Sequence, residues 1–144
     1  MLADRIDVAV PAGFVRLSPE RIQEKYAGDK RPSEVLTDND DAYFKIMEMP
    51  QRVSANEVGQ YKSFHMSQMK KESNIEWLFD DYQKSVNGNW GIIKVIYPSL
   101  QRYVHYFFTS MDGKLLLMSF ECNAKDWKKY EGIGDAIYQS IKVR

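Results

Sequence analysis

The stretch RYVHYFFTSMDGKLLLMSFEC, residues 102–122, decides the architecture of this chain. Within residues 103–108, both alternating sets of side chains are aromatic or aliphatic apart from His105, and residues 115–118 form an unbroken apolar run. A strand that is apolar on both faces must be covered on both faces. The glycine-containing turn Met111-Asp112-Gly113 between the two runs predicts a hairpin. The stretch therefore predicts an antiparallel sheet with a helical layer on each side.

Outward from this hairpin, apolar patterns predict the remaining elements of the chain. Alternation predicts strands, and a period of three to four residues predicts helices. The predicted strands span 6–10, 42–49, 75–86 and 90–97, and the predicted helices span 18–27, 54–72 and 123 to about 141. Residues 28–41 are predicted to be a loop. With the two strands of the hairpin, the sequence predicts a mainly antiparallel sheet of about six strands in a single domain over residues 1–144.

Local signals place the helices around this sheet. Ser54 and Glu57 form a capping box at the start of the second helix, and Asn87-Gly88 predicts a hairpin turn. Gly132 and Gly134 weaken the last helix by about 1 kcal/mol each relative to alanine. They indicate either a close approach to the sheet or a one-turn break. The predicted fold is α+β: an α-β-α sandwich with a long helix on each face and the short first helix at an edge or on the second face.

Strand alternation also assigns individual side chains to faces of the sheet. In the second predicted strand, Lys45 and Met47 share one face. In the third, Glu76 and Asp80 are predicted on one face and Asp81 on the other. Glycosidases need a pair of carboxylates on either side of one bond, and this arrangement does not predict such a pair.

Three residues, His65, His105 and Cys122, are the candidates for nucleophilic chemistry. A cysteine nucleophile needs a histidine within hydrogen-bond reach and a group that orients it. Counted outward from the turn at 111–113, His105 and Cys122 are not opposite each other, so a structural role is predicted for the thiol. His65 lies in the apolar stripe of the second helix and is predicted to be a packed, hydrogen-bonded core histidine. With one cysteine in the chain, an intramolecular disulfide and a tetrahedral metal site built of cysteines are excluded.

Residues 38–41, DNDD, form an acidic loop, and oxygen-rich loops can hold calcium. The spacing lacks the glycine and the glutamate that an EF-hand requires, so a solvated turn is predicted, with a weak cation site as the alternative. No glycine-rich phosphate loop is present in the sequence. We therefore predict no catalytic residue, no cofactor and no metal site.

The charge balance argues against a nucleic-acid partner. The 144 residues include 20 Lys and Arg and 20 Asp and Glu, whereas nucleic-acid binding normally shows a basic excess. No apolar run approaches the roughly 18 residues that a membrane span requires, so no integral membrane segment is predicted. No signal peptide is visible at the start of the sequence.

The order of these elements resembles the PsbP-like superfamily of α-β-α sandwiches, which includes a Ran-binding nuclear transport factor and an uncharacterised bacterial branch. The resemblance covers nearly the whole chain. It depends on the segments VPAGF (10–14), KYAGDKRPSEV (25–35), MDGKLLLMSFECN (111–123) and AIYQSIKV (136–143). The resemblance implies the sandwich fold and a non-enzymatic binding, assembly or chaperone role. It implies no particular site residue.

We therefore predict a non-enzymatic binding protein of bacterial type, an accessory, chaperone-like or immunity-type factor that acts through protein–protein contacts. The alternative is an envelope ligand- or lipid-binding protein that uses a cleft between sheet and helix. Aromatic residues are enriched at interface hot spots, and the predicted partner-binding patch consists of Trp90, Tyr97, Pro98, Leu100, Arg102 and Tyr103. A homodimer is left open. The bacterial periplasm or envelope is favoured if a signal peptide has been removed, and the cytoplasm otherwise.

Overall fold

In the computed structural model of this chain, the described residues are 5–26, 28, 31–39, 41–71, 74–85 and 88–144. Within them the chain forms nine strands and three α-helices: β1 Ile6–Asp7, β2 Val15–Arg16, α1 Pro19–Lys25, β3 Glu34–Thr37, β4 Tyr43–Arg52, α2 Val58–Met69, β5 Glu76–Ser85, β6 Gly88–Tyr97, β7 Arg102–Met111, β8 Lys114–Asn123, α3 Trp127–Ser140 and β9 Lys142–Val143. The predicted helix ends at Ala27 and Glu72 and the predicted turn residue Asn87 lie outside the described residues.

The main sheet has the strand order β2-β3-β4-β8-β7-β6-β5 in the described part of the chain, and all of its neighbouring strands are antiparallel. The β7–β8 hairpin closes at Asp112 and Gly113, whose φ angles are 54° and 76°. Two consecutive positive φ angles define the type I′ turn, whose twist matches that of the strands. The predicted antiparallel sheet is confirmed.

The strand inventory differs from the prediction at the amino-terminal end. The strand predicted over 6–10 is reduced to β1, which pairs with β9 in a separate two-stranded sheet. The main sheet instead gains β2 and β3, which have 2 and 4 residues. β3 lies within the stretch 28–41 that was predicted to be a loop, because four residues are too few to show a clear alternation.

The two long helices cover opposite faces of the main sheet. Ile137 of α3 packs into one core with Phe107 and Phe120, and Val58 of α2 packs into the other core with Phe108. Burying one such side chain contributes about 1.5–3 kcal/mol. The helix α1 packs on β3 at the sheet edge. Of the described helices, none combines the length and the apolar character that crossing a bilayer requires.

Gly134 lets α3 approach the sheet closely. A Cβ atom at this position would lie 2.9 Å from Cδ1 of Phe120 and 3.2 Å from Nδ1 of His105. The helix α3 runs without interruption through both of its glycines. The close approach is therefore the reason for Gly134, and the alternative of a one-turn break is wrong.

A bulge in β5 changes the predicted faces of its acidic residues. The pairing with β6 shifts between Trp77 and Phe79, and an extra residue reverses the alternation beyond it. Asp80 therefore lies on the α2 face, where its Oδ1 is 2.6 Å from Nζ of Lys62. The prediction that Glu76 and Asp80 share a face is wrong, because periodicity alone does not show where an extra residue is inserted.

Candidate functional site

A cleft of about 480 Å³ opens on the α2 side of the main sheet. We call it the α2-face cleft. Its floor is formed by side chains of β4, β7 and β8. Its walls include Tyr26, which follows α1, and His65 of α2. It lies where the short helix α1 and the longer α2 leave part of the sheet uncovered. Its lining includes Tyr26, Arg31, Lys45, Met47, His65, Leu117, Ser119 and Glu121.

The floor of the cleft changes from polar to apolar along the strands. Residues paired across neighbouring strands share a face of the sheet. One row places Lys45 opposite Ser119, which is in turn opposite Tyr106. The next row places Met47 opposite Leu117. Two residues along a strand span about 7 Å, so polar and apolar groups are within the reach of one small molecule.

An ion pair occupies the polar end of the cleft. Nζ of Lys45 lies 2.6 Å from Oε1 of Glu121, and both side chains are mostly buried. The same ammonium lies 4.8 Å from the centroid of the Tyr26 ring, within cation–π range. On the neighbouring wall, Nε of Arg31 donates a hydrogen bond of 3.2 Å to the backbone carbonyl of Tyr26. Tyr26 therefore contacts both Lys45 and Arg31.

The hydroxyl group of Tyr26 is buried and has no hydrogen-bond partner within the described residues. Burial raises the pKa of Tyr26 to about 12, and the negative charge of Glu121 adds to this shift. The phenol therefore keeps its proton at neutral pH and is available as a donor. A buried polar group of this kind costs about 1–3 kcal/mol while it is unpaired.

His65 forms the wall of the cleft on the side of α2. Its Nδ1 lies 3.1 Å from the hydroxyl oxygen of Tyr61, and its ring centroid is 5.5 Å from that of Tyr106. The predicted packing and hydrogen bond are present, but His65 is half-buried at the wall of the cleft and is not a core histidine.

The three candidate nucleophilic residues do not come together. His65 lies on the α2 face, whereas His105 and Cys122 lie on the opposite face under α3. On β8, the partners of His105 and Tyr103 are Phe120 and Cys122 respectively. Burial raises the pKa of Cys122 to about 12, which keeps the thiol protonated and unreactive. The predicted structural cysteine agrees with this environment.

A second, smaller hollow of about 200 Å³ lies beside α3. Lys94 is buried there, with its Nζ 2.8 Å from Oδ1 of Asp135 and 3.5 Å from Oε2 of Glu131. His105 is 1% exposed, and neither of its ring nitrogens has a hydrogen-bond partner among the described residues. Burial, and then the charge of Lys94, lowers the pKa of His105 to about 3. The imidazole is therefore neutral at physiological pH.

Two of the six residues predicted to form an exposed patch are buried. Trp90 is 3% exposed and packs edge-on against Tyr138 of α3, and Tyr103 is 0% exposed and stacks on Trp127. The expectation that Trp90 and Tyr103 contribute to a surface patch is wrong, because both lie on the face that α3 covers.

The other four residues of the predicted patch lie at the turn between β6 and β7. Leu100 is 68% exposed, and Pro98 is exposed beside it. Tyr97 is half-buried, with its hydroxyl oxygen 2.8 Å from that of Tyr106, and Arg102 is held by Asp41 at 2.7 Å. The exposed apolar surface at this turn is thus reduced to Pro98 and Leu100.

The described residues of the acidic loop have structural partners. Oδ1 of Asp38 accepts hydrogen bonds from the backbone N–H groups of Asp41 and Ala42. Asp41 pairs with Arg102 and accepts a hydrogen bond from the backbone N–H of Asn123. Asp40 lies outside the described residues. Elsewhere in the described chain, no group of three or more His, Cys, Asp or Glu residues is placed to hold a metal ion, so the alternative of a cation site gains no support.

Solved structures of low sequence identity share this fold, although no protein-family model and no curated protein sequence matches the chain. The solution structure of cyanobacterial PsbP (CyanoP) from Synechocystis sp. PCC 6803 superposes with a TM-score of 0.63 at 14% identity, covering 99% of this chain and 88% of that one. LpqN, a Mycobacterium tuberculosis protein involved in cell envelope biogenesis, gives a TM-score of 0.58 at 10% identity over 96% and 82% of the two chains.

A third similar structure is the Ran-binding protein Mog1p of Saccharomyces cerevisiae. It gives a TM-score of 0.53 at 11% identity, covering 98% of this chain and 91% of that one. Identities this low carry information about the fold alone. The predicted resemblance is confirmed at that level: the chain has the same α-β-α sandwich fold as these three proteins.

Proposed function

We propose that this chain is a non-enzymatic binding protein that holds a small, largely apolar ligand in the α2-face cleft. The observation that carries the proposal is the cleft, because its volume of about 480 Å³ falls in the range of ligand sites, roughly 300–1,000 Å³. An apolar floor with a few polar groups at one end is typical of such sites. The separation of His65 from His105 and Cys122 supports binding over catalysis.

A charged side chain in the floor of the cleft is expected to prevent binding. Met47 is half-buried on this floor, so Met47→Glu places a carboxylate where the ligand needs apolar contact. In native mass spectrometry of the protein purified from its own cell, we expect a bound small molecule on the wild type and loss of at least about nine-tenths of it in the variant. Such a loss requires an affinity weakened by at least about tenfold, or 1.4 kcal/mol.

Met66→Glu is the matched control for this experiment. Met66 is also a half-buried methionine on the α2 side of the sheet, but it does not line the cleft. It should retain the ligand. A small molecule that remains on both variants to the same extent would place the binding site elsewhere, and an empty wild-type protein would contradict the proposal.

A second candidate function is binding of a protein partner through the turn between β6 and β7. The observation that favours it is Leu100, a large apolar side chain that is 68% exposed in a turn stabilised by the bond from its own N–H to the carbonyl of Tyr97. The similar yeast structure is a Ran-binding protein, so the fold is compatible with protein recognition. Under this proposal the chain acts as an accessory, chaperone-like or immunity-type factor, and homodimer formation stays a prediction.

Leu100→Asp tests this second candidate. The substitution should change the free energy of unfolding by no more than about 0.5 kcal/mol, because the site is on the surface. If the turn is an interface, capture of protein partners from the native cell should fall about tenfold, as expected for a hot-spot residue. Val15→Asp, at another exposed apolar residue, should leave capture unchanged. Equal capture by the wild type and Leu100→Asp would remove the support for this candidate.

A further inference from the structure

We infer that the α2-face cleft takes an amphiphile with one anionic head group, a carboxylate, on a short apolar chain. This inference rests on the proposed function of the cleft and names its ligand class. Four observations lead to it: the net charge of the cleft, the state of Arg31, the unpaired hydroxyl of Tyr26, and the apolar row that begins at Met47.

Counted over the described residues, the side chains on the cleft carry a net positive charge of about one unit. Glu48 borders it, but Glu48 is opposite Leu116 on β8, and Leu116 belongs to the core under α3. The carboxylate of Glu48 therefore points to the other face of the sheet. The charged side chains that remain on the cleft are Arg31, Lys45 and Glu121. Because Lys45 and Glu121 are paired at 2.6 Å, the charge of Arg31 is left over.

Among the described residues, no carboxylate lies within ion-pair distance of Arg31. Arg31 is exposed, and its Nε donates a hydrogen bond to the backbone carbonyl of Tyr26. The planar fork of an arginine matches a carboxylate bidentately. Arg102, by contrast, already has Asp41 as a partner at 2.7 Å. Arg31 is therefore the group that selects the charge of the ligand.

The hydroxyl of Tyr26 provides a second donor in the same cleft. It is unpaired among the described atoms, and its raised pKa keeps the proton in place. Native structures rarely leave a buried polar group unsatisfied, and a ligand is one of the accepted reasons for it. An anionic oxygen that reaches this hydroxyl would receive its hydrogen bond, and Arg31, which lines the same cleft, would supply the opposite charge.

The apolar part of the ligand would lie along Met47, Met49 and Leu117. These residues line the cleft beyond the row formed by Lys45 and Ser119. Methionine side chains are flexible and polarisable and fit chains of different shape. An acid with a short alkyl chain thus meets polar and apolar groups in the order in which the cleft presents them.

Decanoate, decanol and acetate are the probes that test this inference. Decanoate is used below its critical micelle concentration and decanol below its solubility limit. They can be compared by isothermal titration calorimetry and by chemical-shift changes in two-dimensional NMR. Decanoate should bind at least about tenfold more tightly than decanol, which lacks the charge, and acetate, which lacks the chain, should not bind measurably. The shifts should be centred on cleft residues such as Lys45 and Leu117.

Variants then separate the head-group interaction from the cleft itself. Arg31→Gln should weaken decanoate about tenfold and leave decanol unchanged, and Tyr26→Phe should act in the same direction with a smaller effect. Arg21→Gln, at an exposed arginine of α1 outside the cleft, is the matched control and should bind decanoate like the wild type.

Two results would overturn the inference in distinguishable ways. Equal affinity for decanoate and decanol, with no effect of Arg31→Gln, would contradict the anionic head group. The cleft would then be a site for an apolar ligand. Failure of both ten-carbon probes to shift any cleft residue, together with an unaltered result for Met47→Glu, would instead show that the proposed function of the cleft is wrong.

Discussion

Replacement of Gly91 by alanine is expected to lower the free energy of unfolding by about 1–3 kcal/mol, the usual cost of overpacking a core. Gly91 lies opposite Phe108 on the neighbouring strand. A Cβ atom at Gly91 would lie 2.5 Å from Cζ of that ring and closer still to Cε2. The ring of Phe108 is fully buried and meets Tyr61 of α2 at 5.2 Å between centroids. The same ring also lies 6.1 Å from His65 between centroids, so room for the new methyl group requires packed side chains to move, and chemical denaturation should detect the loss.

A double-mutant cycle gives this prediction its control. In a Phe108→Leu background, the ring that the new methyl group meets is gone, so Gly91→Ala should cost at least about 1 kcal/mol less than in the wild type. Gly132→Ala is the matched glycine variant, because nothing lies within 4 Å of its added Cβ. In the middle of α3 it should stabilise the protein by up to about 1 kcal/mol. An equal cost of Gly91→Ala in both backgrounds would mean that contact with Phe108 is not the cause.

The central hairpin could be predicted from sequence because its signals are local. Residues 103–108 and 115–118 show apolar character on both faces, and Asp112-Gly113 specifies the turn. The strands β2 and β3 could not be predicted, since both are short: β3 pairs with the longer strand β4, and β2 pairs with β3. The bulge in β5 was also missed, because the alternation of side chains does not show where an extra residue is inserted.

The candidate site could be predicted only in part. Alternation correctly placed Lys45 and Met47 on one face of β4. It gave no sign that Glu121, far away in sequence, would be the partner of Lys45, because that pairing depends on the register between β4 and β8. The cleft itself arises from the gap between α1 and α2, which is a property of packing. The prediction of an exposed patch was wrong at Trp90 and Tyr103, because sequence does not reveal which aromatic residues a distant helix will cover.

The second large effect concerns pH. The stability of the protein should fall on acidification because of His105. The folded-state pKa of His105 is about 3, whereas an unfolded histidine has a pKa of about 6.5. Between these values the unfolded chain binds the proton and the folded chain does not. The contribution of the neutral histidine is therefore complete above about pH 6.5 and declines as the pH falls towards 3.

From pH 7 to pH 5, the free energy of unfolding should fall by about 2 kcal/mol. At pH 5 the pH is about 1.5 units below the pKa of the unfolded histidine, and each unit contributes about 1.4 kcal/mol. The two charged groups that face His105 act in opposite directions on its pKa, and the lowering prevails. Lys94 opposes protonation, and Asp135, whose Oδ1 is 3.8 Å from Nδ1, offsets only part of the effect of burial.

His105→Leu is the variant that isolates this contribution. It replaces the imidazole with an apolar side chain in the same core, so its stability relative to the wild type should improve by about 2 kcal/mol between pH 7 and pH 5, whatever its stability at pH 7. Urea denaturation at both pH values measures this change. NMR of the wild-type imidazole protons gives an independent reading and should show no titration of His105 above about pH 4. A titration midpoint near 6.5 in the folded protein would mean that His105 is hydrated, and the packing of α3 against β7 at Gly134 would then be looser than the contacts described above require.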